Sequence, residues 1–306
     1  MNKKADTPPD YRGRFAPSPT GPLHFGSLVA ALGSYLDARQ NQGHWLLRME
    51  DLDKEREVKG AADHILRTLE SFGFAWDGPV IYQNRRREAY TEALQALQSS
   101  GLAYPCRCSR KQITKAAIAG SEGPIYPGTC RAEPTTGTRA RTIRLLTQDR
   151  TIEFQDRIQG RIQQNPEREV GDFVIRRADG FHAYQLAVVV DDAWQGISHI
   201  VRGADLLGST PRQCYLQELL DLPRPDYAHL PLAIDSAGRK LSKQHRDAPV
   251  DSRHPLDALL QAFDFLAQEM PPERPLDVED FWRWAVDRWS IKRVPEQLQI
   301  PVSGSD

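Results

Sequence analysis

The chain has 306 residues, 40% of them hydrophobic, with a formal net charge of −1 and four cysteines. That length fits one large domain carrying an insertion or a small second domain. No apolar run approaches the ~18 residues of a membrane span, and the opening Met1–Asp6 lacks the apolar core of a secretion signal, so a cytoplasmic protein without a membrane partner is expected. A charge so near neutral excludes a global pull toward nucleic acid and leaves any such contact to local groups such as Arg85, Arg86 and Arg87, or Arg107, Arg110 and Lys111. Cys106, Cys108, Cys130 and Cys214 are too few for a disulfide framework at this length, which points to reduced thiols or a metal.

In chain order, residues 12–15 are expected to form a short strand and residues 27–39 a helix with Leu28, Val29, Leu32 and Leu36 on one face. A buried strand at 45–49 follows, then helices near 60–72 and 86–98; this alternation favours an α/β fold with a parallel sheet. From Tyr104 to Thr138 the pattern gives way to Gly, Pro, Thr and Cys, as an insertion would. Strands are expected again at 142–146 and 172–177, with a turn at Asp179-Gly180 leading into a strand at 181–184, and Leu186–Val190 is expected to be a second core strand. At the next helix Thr210 is expected to cap, with Pro211 at the first helical position and Gln213 completing a capping box. Residues 229–234 look strand-like, and two further helices are expected at 255–268 and 278–289.

Two loops carry chemistry. Arg14-Phe15-Ala16-Pro17-Ser18-Pro19-Thr20-Gly21-Pro22-Leu23-His24-Phe25-Gly26-Ser27 joins the first strand to the first helix. Glycines there let the backbone approach a ligand, and the helix beyond offers free N–H groups and partial positive charge to phosphate. Lys240-Leu241-Ser242-Lys243-Gln244 follows the strand-like 229–234 segment and sets two lysines in a loop. Taken together, the two loops suit the two sides of one triphosphate.

This pairing resembles the class I aminoacyl-tRNA synthetases: His24-Phe25-Gly26-Ser27 is similar to their HIGH motif and Lys240–Gln244 to their KMSKS motif. Arg14–Gly21, Arg48-Met49-Glu50-Asp51-Leu52-Asp53 and Val201-Arg202-Gly203-Ala204-Asp205 narrow the resemblance to the glutamyl-tRNA synthetase catalytic core, over about residues 12 to 243. The resemblance implies a Rossmann-like parallel sheet, ATP with Mg²⁺, and activation of glutamate. It assigns Lys243 and His24 to catalysis, Gly26 and Lys240 with them to ATP, and Arg14, Phe15, Ala16, Pro17, Ser18, Glu50, Tyr184 and Arg202 to glutamate. Arg14 and Arg202 are each suited to fork onto a carboxylate, and Glu50 to take the ammonium group. One departure is Val188, where these enzymes usually carry asparagine four residues after the tyrosine; weaker glutamate binding is the expected consequence.

Only 63 residues follow Lys243 (306 − 243), too few for the helical anticodon-binding region of full-length relatives. The expected organisation is residues 1–103 and 139–250 as two halves of the catalytic domain, the second with an acceptor-end-like insertion, residues 104–138 as a zinc-binding insertion, and 251–306 as a short helical segment. A chain of that form is similar to short paralogues in the family that place glutamate on queuosine in the anticodon of tRNA(Asp). The partners implied are that anticodon loop, glutamate and ATP, for a monomer. A truncated enzyme charging tRNA(Glu) and a non-catalytic RNA-binding relative remain open beside it. In the insertion, Cys106, Cys108 and Cys130 supply three thiolates, and no histidine lies between His64 and His182. A fourth ligand is then an oxygen, with Tyr126 and Glu122 the nearest; the family resemblance selects Tyr126 and a structural Zn²⁺.

Overall fold

The computed structural model describes residues 11–120, 123–132, 141–235, 238 and 249–302. Lys240, Lys243 and Glu122 lie outside these residues. The chain opens with β1 (Arg12–Phe15), which passes through the proline-rich turn into α1 (Phe25–Gln40) and then β2 (His44–Met49). β1 and β2 pair in parallel, and after α2 (Ala61–Ser71) the short β3 (Ile81–Tyr82) extends the same sheet on the far side of β2. Parallel strands need a crossover between them, and α1 supplies it. The helix packs tightly: a Cβ at Gly33 would meet Leu230 Cδ1 at 2.7 Å, so glycine there is what lets α1 lie close on the neighbouring strand.

Next come α3 (Arg87–Ser99), β4 (Ala103–Cys106), α4 (Arg110–Ala116), the small β5 (Ala119–Gly120) and β6 (Gly123–Pro124) pair, and α5 (Thr129–Ala132). β4 straddles the boundary expected at residues 103 and 104. It pairs antiparallel with β7 (Thr142–Leu145), so the cysteine-bearing segment leaves and rejoins the body through adjacent strands. A hairpin of β8 (Ile152–Asp156) and β9 (Gly160–Gln164) leads to α6 (Pro166–Glu169) and to β10 (Val174–Arg176), the other neighbour of β7.

Here the structure departs from two sequence expectations. Gly180 does occupy a turn, with φ +88°, but residues 181–184 contribute only one isolated bridge, between Arg176 and His182. Leu186–Val190 is not a strand: it lies within the helix α7 (Tyr184–Trp194). Leu186, Ala187, Val188 and Val189 are all buried, and a helix enclosed on every side shows an unbroken apolar run with none of the spacing that marks a surface helix. Packing outweighs the strand preference of three consecutive valines.

β11 (His199–Gly203) follows, then a 3-10 turn at Ala204–Ser209, α8 (Thr210–Leu219), β12 (Asp226–Leu230) and β13 (Leu232–Ile234). β11 and β12 pair in parallel, and β12 meets β8. The capping box expected at Thr210 does not form, since Ser209 stands at the cap and makes no side-chain cap bond. Beyond residue 249, α9 (Pro255–Phe265) and α10 (Val278–Arg288) pack against α1, with Phe263, Phe281 and Trp289 joining its core, and β14 (Gln299–Pro301) pairs in parallel with β13. Among the described residues no helix is long and apolar enough to cross a membrane.

Candidate active site

β1 and β11 begin side by side, where Ser198 N donates to Arg12 O at 3.0 Å. From there the order of strands runs both ways: β1 leads through α1 to β2 on one flank, and β11 pairs with β12 on the other. Ligands of open α/β sheets bind beyond the strand ends at such a reversal. A cleft of about 1110 Å³, counting its solvent-open part, lies there. Arg14 and Phe15 at the end of β1, then Ala16, Pro17 and Ser18, form one wall; His24 and Gly26 at the start of α1, Glu50 beyond β2, Tyr184 at the start of α7 and Arg202 of β11 complete it. All eight residues expected at glutamate, and two of the four expected at ATP, therefore share one cleft. Leu230, Pro231, Leu232 and Ala233 line it as well. Nothing in their residue types marks them; only their place between a strand and the lysine loop could have.

His24 stands at the N-cap of α1 in an extended conformation (φ −111°, ψ 172°), its Nδ1 accepting from Ser27 N at 3.3 Å. The histidine thus fixes where the helix begins. Val188 does not reach the cleft; its side chain is in the core with Leu186, Phe154 and Tyr227.

Two buried networks support the polar residues. Asp192 Oδ1 accepts from Arg14 Nε at 3.1 Å and from Arg48 NH1 at 2.8 Å, and Arg48 NH2 faces Glu50 Oε1 at 3.5 Å. Burial would raise Asp192, but Arg14 and Arg48 outweigh it and hold its pKa below the usual carboxylate range. For Glu50 burial dominates and lifts the pKa, against the pull of Arg48 and Arg14. A carboxylate so poorly solvated gains from a cationic ligand.

Arg202 is 5% exposed and held on three sides. Its Nε donates to His229 Nε2 at 3.0 Å, its NH2 to Thr210 Oγ1 and Gln213 Oε1, each at 2.8 Å, and its NH1 to Tyr184 OH at 3.4 Å. Thr210 and Gln213 hold the arginine instead of capping their helix. His229 Nδ1 in turn meets Asp156 Oδ2 at 2.6 Å. Burial, together with nearby Arg202, pushes His229 down to about 4, with Asp156 opposing.

That shift fixes a stability effect. An unfolded imidazole takes up a proton below about 6.5, whereas the folded one stays neutral to about 4. Between those values the unfolded state binds more protons, so stability falls as pH drops, by about 3 kcal/mol over the window. Denaturant unfolding between pH 7 and 4 should show this slope, and His229→Gln should flatten it; an equally steep slope in that variant would assign the effect elsewhere.

Residues 10–258 match the catalytic domain of class I tRNA synthetases (E and Q). The chain belongs to this family. It is 57% identical over 295 residues to the glutamyl-Q tRNA(Asp) synthetase of Dechloromonas aromatica, covering 95% of this chain and 97% of that one. It is 52% identical over 301 residues to the glutamyl-Q tRNA(Asp) synthetase of Aromatoleum aromaticum, covering 98% and 95%. Its fold is similar to that of the glutamate-tRNA synthetase of Elizabethkingia anophelis, with a TM-score of 0.80 at 23% identity over 97% of this chain and 68% of that one.

The class I synthetase body carries a second constellation away from the cleft. The sulfurs of Cys106, Cys108 and Cys130 all lie within 4.8 Å of one another, with Cys108 and Cys130 at 3.6 Å. Tyr126 OH sits 3.4 Å from Cys106 Sγ and 3.6 Å from Cys108 Sγ. A disulfide would bring two sulfurs to about 2.05 Å. Tetrahedral zinc, at about 2.3 Å from sulfur and 2.1 Å from oxygen, would set sulfurs about 3.8 Å apart and sulfur to oxygen about 3.6 Å. The four residues fit such an ion. Arg144 braces them, its Nε 3.3 Å from Cys106 Sγ and its guanidinium 3.9 Å from the centroid of the Tyr126 ring. Cys214 is remote from this group in sequence and buried on α8 among Leu186, Tyr215 and Leu216.

Proposed function

We propose that this protein activates glutamate with ATP and transfers it to queuosine in the anticodon of tRNA(Asp). The observation that carries the first step is the meeting of Arg14, Glu50, Tyr184 and Arg202 in one cleft at the strand-order reversal. The acceptor is supported by the full-length similarity to proteins named for that tRNA.

The α-carboxylate of glutamate attacks the α-phosphorus of ATP; the bond to the β-phosphate oxygen breaks and pyrophosphate leaves, giving glutamyl-adenylate. A hydroxyl of queuosine then attacks the activated carbonyl, forming an ester and releasing AMP. The protein's part is placement and charge compensation. Arg202, with the Tyr184 hydroxyl beside it, takes the side-chain carboxylate; Arg14 lies along the amino acid; Glu50 takes the ammonium group. Phe15, Ala16, Pro17 and Ser18 form the floor on which glutamate lies. His24 and Gly26 lie under the nucleotide, where the start of α1 turns its free N–H groups to phosphate. Lys240 and Lys243 supply cations to the phosphates, and Mg²⁺ accompanying ATP would offset phosphate charge. Cys106, Cys108, Tyr126 and Cys130 hold a structural Zn²⁺ that braces residues 104–138, between the two catalytic segments 1–103 and 139–250; the helices after residue 251 back the first.

Pyrophosphate exchange with glutamate and no tRNA tests activation, and preference for aspartate would overturn it. For transfer, labelled glutamate is offered to tRNA(Asp) with and without queuosine, each with and without its 3′-terminal adenosine. Label is expected to require queuosine and to ignore the adenosine. Label that requires the adenosine and ignores queuosine would assign the chain to ordinary charging.

A further inference from the structure

The grip on Arg202 uses nearly all of that side chain. A guanidinium has five N–H hydrogens. One goes to His229, two to Thr210 and Gln213 and one to Tyr184. Among the described residues, a single N–H of NH1 is left to face the cleft that Arg202 lines. The orientation of this plane is therefore decided behind the cleft, and the acceptor on Nε decides it most directly.

That acceptor is an imidazole nitrogen, which accepts only while it carries no proton. Asp156 settles which nitrogen this is. Its Oδ2 lies 2.6 Å from His229 Nδ1, and its Oδ1 accepts from the backbone N–H of Ile158, Gln159 and His229, at 3.0, 2.9 and 3.2 Å. A carboxylate committed to four donors cannot turn away, so the His229 hydrogen is drawn to Nδ1 and the lone pair of Nε2 is left toward Arg202. His229 and Asp156 are fully enclosed, and neither lines the cleft itself.

We infer that His229, with its tautomer set by Asp156, is the positioning residue that aims Arg202 and thereby sets the affinity and selectivity for a substrate side chain ending in a carboxylate. This rests on the glutamate reading of the cleft. The one free NH1 hydrogen and the Tyr184 hydroxyl then form a pair of donors contributed by two residues, suited to two carboxylate oxygens. An amide would set its NH₂ group against one of them, so glutamine is refused. If the guanidinium is free to rotate, both the affinity and the refusal weaken together.

The test compares His229→Leu, which fills the space without an acceptor, with His229→Gln, whose Oε1 restores one near the position of Nε2, and with Asp156→Asn, which allows the other tautomer. The full-length protein is assayed by pyrophosphate exchange. His229→Leu should raise KM for glutamate about tenfold or more, as expected when a hydrogen bond to a charged group is lost. KM for ATP should be nearly unchanged, and the preference for glutamate over glutamine should narrow. His229→Gln should recover most of the affinity, and Asp156→Asn should fall between. An unchanged glutamate KM in His229→Leu overturns the inference. So does a common rise in both KM values matched by equal loss of melting temperature in His229→Leu and His229→Gln, which would mark a purely structural histidine. Absence of glutamate-dependent exchange in the unsubstituted protein overturns the functional reading itself, and this inference with it.

Discussion

Arg202→Ala lowers kcat/KM for glutamate by about 10²-fold or more, equivalent to ~3–5 kcal/mol for removing one partner of a buried charge pair. The expectation follows from the absence of any slack at this position. The side chain is 5% exposed and its partners come from β12, α7 and α8, so no neighbour is free to replace it. Truncation also takes the Arg202 donor from Gln213 Oε1 and leaves His229 Nε2 only the Thr210 hydroxyl, 3.1 Å away; a buried acceptor left unpaired costs ~1–3 kcal/mol, so the variant should melt earlier. The two effects separate in the ligand dependence: glutamate use should collapse while ATP binding, on the other side of the cleft, changes little. Arg202→Lys should not rescue it, because a single ammonium cannot satisfy four acceptors set around a planar fork. Steady-state exchange at varied glutamate and varied ATP decides the matter, and equal losses for both ligands would mean that the cleft has come apart.

Removal of the proposed zinc is expected to be the second large perturbation. Purified protein should contain about one zinc per chain, lost in Cys106→Ser and Cys130→Ser. Binding that favours the folded state adds about 4 kcal/mol when free metal is a thousandfold above Kd, so chelation should produce a clear fall in melting temperature. Tyr126→Phe is the more discriminating change. It keeps the ring under Arg144 and deletes the oxygen that lies 3.4 and 3.6 Å from the Cys106 and Cys108 sulfurs. Burial raises both the Tyr126 phenol and the Cys108 thiol above their ordinary values, and a dication reverses that preference by stabilising the anions. Acid should accordingly release the metal. Unaltered zinc retention in Tyr126→Phe against a competing chelator would remove the phenol from the ligand set, and metal-free protein purified without chelator would remove the site.

The parts of this molecule written in local pattern were legible in its sequence. β1, α1 and β2 follow from period and from the turn chemistry between them, and the thiol cluster follows from the spacing of its cysteines. Tyr126 came only with the family resemblance, since spacing alone left Glu122 beside it. What escaped was whatever depends on distant chain. Leu186–Val190 reads as a strand because burial all round erases helical spacing. Thr210 and Gln213 read as a capping box because the alternative, a guanidinium from β11, is invisible in a four-residue window. His229, Asp156 and Asp192 carry no motif at all. His229 and Asp156 are 73 residues apart in sequence, and Asp192 lies 178 from Arg14. Their roles exist only after the sheet has formed.

α1 begins at His24 beside the cleft, and near its other end it presents Asp37, which is 1% exposed. Tyr11 donates to this carboxylate, Arg157 NH1 and NH2 approach it at 2.6 and 3.1 Å, and Trp289 Nε1 donates at 3.2 Å. These partners lie 26, 120 and 252 residues away along the chain. During synthesis the first emerges before Asp37 itself, the second 120 residues after it and the third 252 residues after it. Until then a buried acid is short of its donors, and the helix whose first turn lines the cleft is not fully seated. The seating of the helix whose first turn lines the cleft is thereby tied to a side chain 252 positions further along, so a chain cut before Trp289 should leave Asp37 short of a donor and the cleft wall less firmly held.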